Sequence, residues 1–426
     1  MKEIKYNLLN EKKIECVLDN GLKVIVIPKK GFLKYFASFS TSFGAFDTEY
    51  ISINSNEKVS IPHGVAHFLE HKMFEMKNGE DANSYFSDLG VDSNAFTDYN
   101  QTSYIISGTK NLEEAIEYLL DFVQEAHFTY ENVEKEKGII IQEYKMYNDM
   151  PGDVINKKLM QNMYANISYN EDVVGNIDEI SSVTKEMLYD AYESFYHPSN
   201  MLFCLVGDVD PEKIIDLIKN NQKKKSFKTN NAFRKMIKIE DDEIIKPFEK
   251  VKFDLVQPKV CIGIKFPKKD YSGIENMKLE IKFKVLLEML FGSMSDSYQE
   301  MLDKEYIGAD YRYTVRLDND SAYFKIGSDT KKPNEFIKYI KNIIQSINEL
   351  QIKEEQFEKM KKAFWGSVLM SLNDVEYIGV SYPEYYFKNC DFFEAIEEIK
   401  TINLEDIYEL KEYFDESKMS IVILEK

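Results

Sequence analysis

Three of the chain's five histidines, His63, His67 and His71, stand in Ile61-Pro62-His63-Gly64-Val65-Ala66-His67-Phe68-Leu69-Glu70-His71. Inside that stretch lies H-x-x-E-H: His67, Glu70 and His71. On a helix, positions i and i+4 share one face, with i+3 beside them. Two imidazoles placed this way can grip one zinc ion, and the carboxylate between them can reach a water on that ion.

A catalytic zinc takes three protein ligands and keeps one position open. His67 and His71 are two, and the third is expected to be a carboxylate from elsewhere. Glu143, in Gly138-Ile139-Ile140-Ile141-Gln142-Glu143-Tyr144, is the best candidate. It sits in an apolar helical stretch where an unpaired carboxylate is expensive. Glu136 lies two helical turns earlier on the same face and suits a group orienting His67 or His71. Its alternative is a place in the charged surface run Glu131–Lys137. Glu70 then reads as the general base that takes a proton from the attacking water. His63 falls outside the ligand register and reads as a helix-initiating residue, while His127 and His197 read as structural.

These residues need elements to hold them. Cys16-Val17-Leu18, the turn Asp19-Asn20-Gly21 and Leu22–Ile27 predict a β-hairpin. Tyr35 to Phe43 alternates as a strand, and helical stretches are expected around 64–76, 80–90, 111–126 and 130–149. Strands and helices in blocks predict an α+β fold, each domain a mostly antiparallel sheet with helices packed on one face. The chain also repeats itself. Thr184 and Asn403 each suit a helix N-cap, and each helix leads to S-x-M and an apolar strand, at Ser199–Met201 and Ser417–Met419. Leu69-Glu70-His71 aligns with Leu287-Glu288-Met289. Two similar domains of roughly 200 residues are therefore expected in tandem, 1–220 and 246–426, joined by a polar linker over 221–245. Where the first copy has His67, His71, Glu136 and Glu143, the second has Val285, Met289, Met360 and Ser367. The second domain is expected to keep the fold without a metal site.

Composition narrows the class. At 426 residues, with 44% hydrophobic and 13% aromatic residues, the chain is globular with room for a large core. A net charge of −19 argues against nucleic-acid binding. No apolar run is long enough to span a membrane. The opening residues lack the apolar core of a secretion leader, and four scattered cysteines suit a reducing compartment, so a cytoplasmic location is expected.

Together these residues resemble the pitrilysin, insulinase and mitochondrial processing peptidase family, the inverzincin zinc metallopeptidases. The marks are His67-Phe68-Leu69-Glu70-His71, Glu136 and Glu143 at the family's spacing, and Ser93-Asn94-Ala95-Phe96-Thr97. Tyr196-His197-Pro198-Ser199-Asn200-Met201 running into Val206-Gly207-Asp208-Val209-Asp210 is a further mark. The resemblance covers essentially the whole chain. It implies one zinc per chain on His67, His71 and Glu143, with Glu70 as base. It implies that Asn94 and Ala95 lie on an edge strand that receives peptide substrate by main-chain pairing. It also implies a chamber of four such domains, of which this chain supplies two, hence a homodimer or a heterodimer with a related zinc-less subunit. Family members that work alone carry an Arg and a Tyr in the C-terminal half to stabilise the oxyanion. Here Leu302 stands at the expected Arg, and Tyr311, past an insertion, is the candidate Tyr. The expected activity is a zinc endopeptidase subunit acting on peptides or small unstructured precursors. The alternative is a non-catalytic, structural or peptide-binding subunit.

Overall fold

The computed structural model describes residues 1–228, 233–236, 238, 240–267, 273–318 and 321–426. The chain forms two compact units. The first comprises Met1–Lys145, Glu171–Ile237 and Ser371–Phe387; the second comprises Met146–Asn170, Lys238–Met370 and Lys388–Lys426.

The first unit is built on a seven-stranded sheet. Its order is Lys2–Tyr6, Glu11–Val17, Lys23–Pro28, Met201–Gly207, Tyr35–Thr41, Thr102–Gly108 and Asp92–Thr97. Every neighbouring pair is antiparallel except Lys23–Pro28 with Met201–Gly207. The Asp19-Asn20-Gly21 turn closes the expected hairpin, with Gly21 N–H donating to the Leu18 carbonyl. Tyr35–Thr41 and Met201–Gly207 are buried along their whole length, which requires cover on both faces. On one face Phe39 lies opposite Tyr104, and the Tyr104 ring meets Phe122 of helix Leu112–Val123 edge-on at 5.7 Å. On the other, helix Val375–Phe387 closes in: the Ser38 hydroxyl donates to the Gly379 carbonyl at 2.9 Å. A Cβ on Gly379 would stand 2.2 Å from Phe36 Cδ1, so only glycine lets this helix approach.

The second unit repeats the plan with five strands: Phe248–Lys252, Met419–Glu425, Lys259–Lys265, Ser321–Asp329 and Arg312–Asp318. Again the first pair is parallel and the rest antiparallel. This matches the five strands from Lys23–Pro28 to Asp92–Thr97 in order and direction. Helix Pro151–Met163 covers one face, and a Cβ on Gly263 would stand 2.6 Å from Met163 Sδ. The Lys265 ammonium fixes that helix's end, donating to the Met163 carbonyl at 2.9 Å and to Glu240 Oε1 at 3.0 Å.

The fold is thus α+β with two like units, and each unit takes one helix from the other half of the sequence. Helix Pro151–Met163 belongs to the second unit and Val375–Phe387 to the first, unlike a contiguous split into 1–220 and 246–426. A helix joins whichever sheet buries its apolar face, and the linear repeat does not specify that. Of the expected linker 221–245, residues 229–232, 237 and 239 lie outside the described residues; Arg234–Lys235 pairs with Glu49–Ile51 as a short strand.

Candidate metal centre

Helix Val65–Met73 presents the motif. It starts at Gly64, whose φ of 87° favours glycine, and a Cβ there would stand 2.3 Å from the Val174 carbonyl oxygen. The helix buries Ala66, Phe68, Leu69 and Met73, which holds its histidine face in place. Helix Tyr130–Asn148 runs against it and supplies the carboxylates.

His67, His71 and Glu143 each offer a ligand atom, all within 4.8 Å of one another. His67 Nε2 lies 3.6 Å from Glu143 Oε1, and His71 Nε2 lies 3.4 Å from Glu143 Oε2. Ligand atoms at normal zinc distances in a tetrahedron stand about 3.3 Å apart, so the three groups fit one zinc. They come from two helices, and the nitrogens facing the carboxylate are both Nε2. His71 Nδ1 is turned the other way, to Glu136 Oε1 at 3.0 Å. Burial disfavours a charged His71 imidazole, but hydrogen bonds with Glu136 and Glu143 outweigh it and hold its pKa up at about 10. His67, His71 and Glu143 would hold a divalent ion only with His71 Nε2 unprotonated, so metal binding at this site would compete with that proton.

Glu136 serves His71 rather than His67. Burial alone would raise its pKa, yet the hydrogen bond from His71 and the charge of Lys72 hold it below the usual carboxylate value. The Lys72 ammonium stands 3.6 Å from Glu136 Oε2 and also pairs with Glu75. Lys72 is fully buried, directly after the second motif histidine, and sequence reading passed over it. The signal was there: a lysine inside an otherwise buried helix needs a carboxylate partner.

Glu70 is held by a residue the motif does not contain. Thr97 Oγ1 donates to Glu70 Oε2 at 2.6 Å. Thr97 ends strand Asp92–Thr97, the outermost strand of the sheet, which also carries Asn94 and Ala95. The Ala95 N–H donates to Asn94 Oδ1 at 2.9 Å. Glu70, His71, Phe74, Asn83, Asn94 and Ala95 share the wall of a cavity of about 450 Å³.

The remaining candidates lie apart from this cluster. His63 pairs through Nδ1 with Glu179 Oε1 at 2.6 Å. The His127 carbonyl accepts from Asn132, and His197 bonds through Nε2 to the Lys228 carbonyl. Tyr311 belongs to the second unit, where its hydroxyl donates to the Phe291 carbonyl at 3.1 Å. Leu302 is 41% exposed, on helix Asp296–Asp303. All four cysteines are free thiols. No helix among the described residues is long and apolar enough to cross a membrane.

Comparison with known proteins bears on the site. Residues 52–176, which hold the motif and both helices' carboxylates, match the family described as insulinase, peptidase family M16. Residues 182–364 match the peptidase M16 inactive domain. A zinc protease of Bacillus subtilis (strain 168), YmfH, is 37% identical over 407 residues, 96% of this chain and 95% of its own. The crystal structure of an M16-like peptidase from Alicyclobacillus acidocaldarius superposes with a TM-score of 0.93 at 31% identity, covering 97% of this chain and 98% of that one. A protease from Helicobacter pylori, 19% identical, shares the fold with a TM-score of 0.85 over 98% of this chain and all of that one. With the motif in a matched N-terminal half, a matched inactive half after it, and full-length likeness to a zinc protease, the chain belongs to the insulinase family of peptidases, M16.

Proposed function

We propose that this chain is a zinc-dependent endopeptidase subunit acting on peptides or small unstructured precursors. The observation that carries this reading is the meeting of His67, His71 and Glu143 beside Glu70, at the wall of a cavity under an edge strand. His67, His71 and Glu143 would hold the zinc. When bound, that ion supplies a Lewis acid for the scissile carbonyl and acidifies a water.

The chain's own residues do the rest. Glu136 fixes the His71 ring, so that Nε2 faces the metal position. Glu70 takes the proton of the attacking water on a carboxylate oxygen and passes it to the leaving amine. The Thr97 hydroxyl holds Glu70 in place without neutralising it. Main-chain groups at Asn94 and Ala95 on the outermost strand align an extended peptide across the cavity. Leu302 offers no charge to a developing oxyanion, and the Tyr311 hydroxyl is engaged by a carbonyl. A related zinc-less partner subunit therefore supplies those donors and completes the chamber. Free thiols, mostly buried, suit a reducing compartment such as the cytoplasm.

Two measurements on one preparation test this. Elemental analysis of protein purified without added metal is expected to give one zinc per chain. Turnover of an unstructured peptide mixture is expected to be weak for the chain alone and to rise about 10²–10³-fold with a zinc-less homologue that brings the oxyanion donors. Less than about 0.2 zinc per chain, with no rise on adding zinc, refutes the metal site. Full activity without the homologue refutes the partner.

A further inference from the structure

The chain has three arginines, Arg234, Arg312 and Arg316, and two of them lie on strand Arg312–Asp318 of the second unit. Residues at alternate positions of a strand share a face, so Arg312, Thr314 and Arg316 line up. Lys325 lies opposite Thr314 on the next strand, and Gly327 lies opposite Arg312. Arg312, Thr314, Lys325 and Gly327, with Asn156, Lys259, Cys261 and Asp310, line a cavity of about 470 Å³ that lies wholly within the second unit.

The charges in this cavity do not cancel. Lys259 is paired with Asp310 and Asp329, and Arg316 Nε lies 2.7 Å from Asp318 Oδ2. Among the described residues, Arg312 and Lys325 have no carboxylate within salt-bridge reach. The Lys325 ammonium donates instead to the neutral amide oxygen of Asn156. Burial pushes its pKa down, and the nearby Arg316 charge adds to that. Among the described residues, the buried lysines elsewhere have carboxylate partners. Lys13, Lys29, Lys72 and Lys265 stand against Glu15, Glu11, Glu75 and Glu240. With 73 acidic residues against 54 basic, an anion was easily available from the chain itself. A cavity of this size, with apolar walls at Ile155 and Val260 and two converging cations, has the form of a ligand site.

We propose that this cavity binds a carboxylate of a peptide, either an Asp or Glu side chain or the chain terminus, with Arg312 and Lys325 as its cations. The assignment to a peptide rests on the endopeptidase reading. A singly charged carboxylate matches a guanidinium fork and one ammonium, whereas Asp310 at the wall repels a dianion such as phosphate. The local charge thus runs opposite to the chain's net charge of −19, and selects acidic segments that the overall field would repel.

Anisotropy of labelled peptides on the Glu70→Gln chain, where cleavage is stopped, tests the site. Four versions of one peptide are compared: Glu or Gln at the acidic positions, each with a free or amidated C-terminus. The Glu or free-terminus versions are expected to bind about tenfold tighter, less so in high salt. The version that matters tells side chain from terminus. Arg312→Gln, at an exposed position, and Lys325→Met, with its fold checked by thermal unfolding, are each expected to erase the preference while leaving the Gln amide peptide's affinity unchanged. Equal affinity for all four peptides overturns the proposal, as does a preference that survives both substitutions. Displacement of the Glu peptide by equimolar inorganic phosphate overturns the carboxylate assignment. The unmutated chain, assayed with the zinc-less homologue, separates the two readings. No cleavage of any peptide together with intact charge preference removes the peptidase and leaves the site. Equal cleavage and equal binding of all four removes the site and leaves the peptidase.

Discussion

The two units share a five-strand order, a parallel first pair and a capped helix leading to the last apolar strand. They also share a detail that separates scaffold from chemistry. In the first unit Glu70 accepts a hydrogen bond from Thr97 on the edge strand, at 2.6 Å. In the second, Glu288, its counterpart in the repeat, accepts one from Tyr313 on the edge strand, at 2.7 Å. Both units thus tie a helix carboxylate to an edge-strand hydroxyl, but from opposite ends of that strand: Thr97 is the last residue of Asp92–Thr97 and Tyr313 the second of Arg312–Asp318. What differs is the neighbourhood. His71 and Glu136, 3.0 Å apart in the first unit, correspond to Met289 and Met360 in the second, both buried. Both positions of the polar pair are apolar in the second unit, where either partner alone would be a buried polar group left unsatisfied. The same glutamate stands beside His67, His71 and Glu143 in one unit and beside methionines in the other, and only the first setting suits the proposed base.

The sharpest way to break this comparison is to make the same change in both units. Glu70→Gln is expected to keep zinc and lower peptide turnover by about 10²–10⁴-fold. Glu288→Gln is expected to leave turnover unchanged. Zinc content and initial rates on each variant decide; comparable losses in both would mean that Glu70 acts only as a brace.

The second unit should show its own polar dependence in stability instead of turnover. Asp318 is buried against Arg316 and Lys388 and accepts from the Tyr169 hydroxyl. Burial opposes its charge, but Arg316 and Lys388 outweigh that and depress its pKa well below the ordinary carboxylate value. A depressed folded-state pKa means stability present above the unfolded pKa of about 3.9 and lost as pH falls below it. Asp318→Asn is expected to destabilise the chain at neutral pH by about 3 kcal/mol, because it removes the buried anion that Arg316 and Lys388 share. The gap from the unmutated chain should narrow below pH of about 4. Urea unfolding at pH 7 and at acid pH measures it, and a gap independent of pH would contradict the charge argument.

Smaller effects refine the first unit. Glu136→Gln keeps a hydrogen-bond acceptor for His71 but removes the charge that Lys72 and His71 share, and is expected to weaken zinc binding about 10–100-fold. Competition with a chelating dye reads it. Thr97→Val removes the hydroxyl from Glu70 at nearly constant volume. Turnover is expected to fall about tenfold, from one lost hydrogen bond to a charged group, with zinc affinity unchanged. An altered zinc affinity would show that Thr97 acts on the ligands and not on the base.

The sequence by itself determined whatever is local. The spacing of His67, Glu70 and His71 places them on one helical face whatever surrounds it, and Glu136 and Glu143 share a face for the same reason. The hairpin turn, the caps at Thr184 and Asn403 and the repeat were readable because turns and caps are written in adjacent residues. Only the tertiary structure decided the rest. Thr97 reaches Glu70, and Lys72 reaches Glu136, through packing between elements that no local pattern specifies. The exchange of helices Pro151–Met163 and Val375–Phe387 is equally hidden, because an amphipathic stripe states that a face is buried but not against which sheet. Pairing of charge is the extreme case. Among 73 acidic residues nothing in the sequence marks Lys325 and Arg312 as cations of one cavity without a carboxylate among the described residues, since only the folded chain assigns partners.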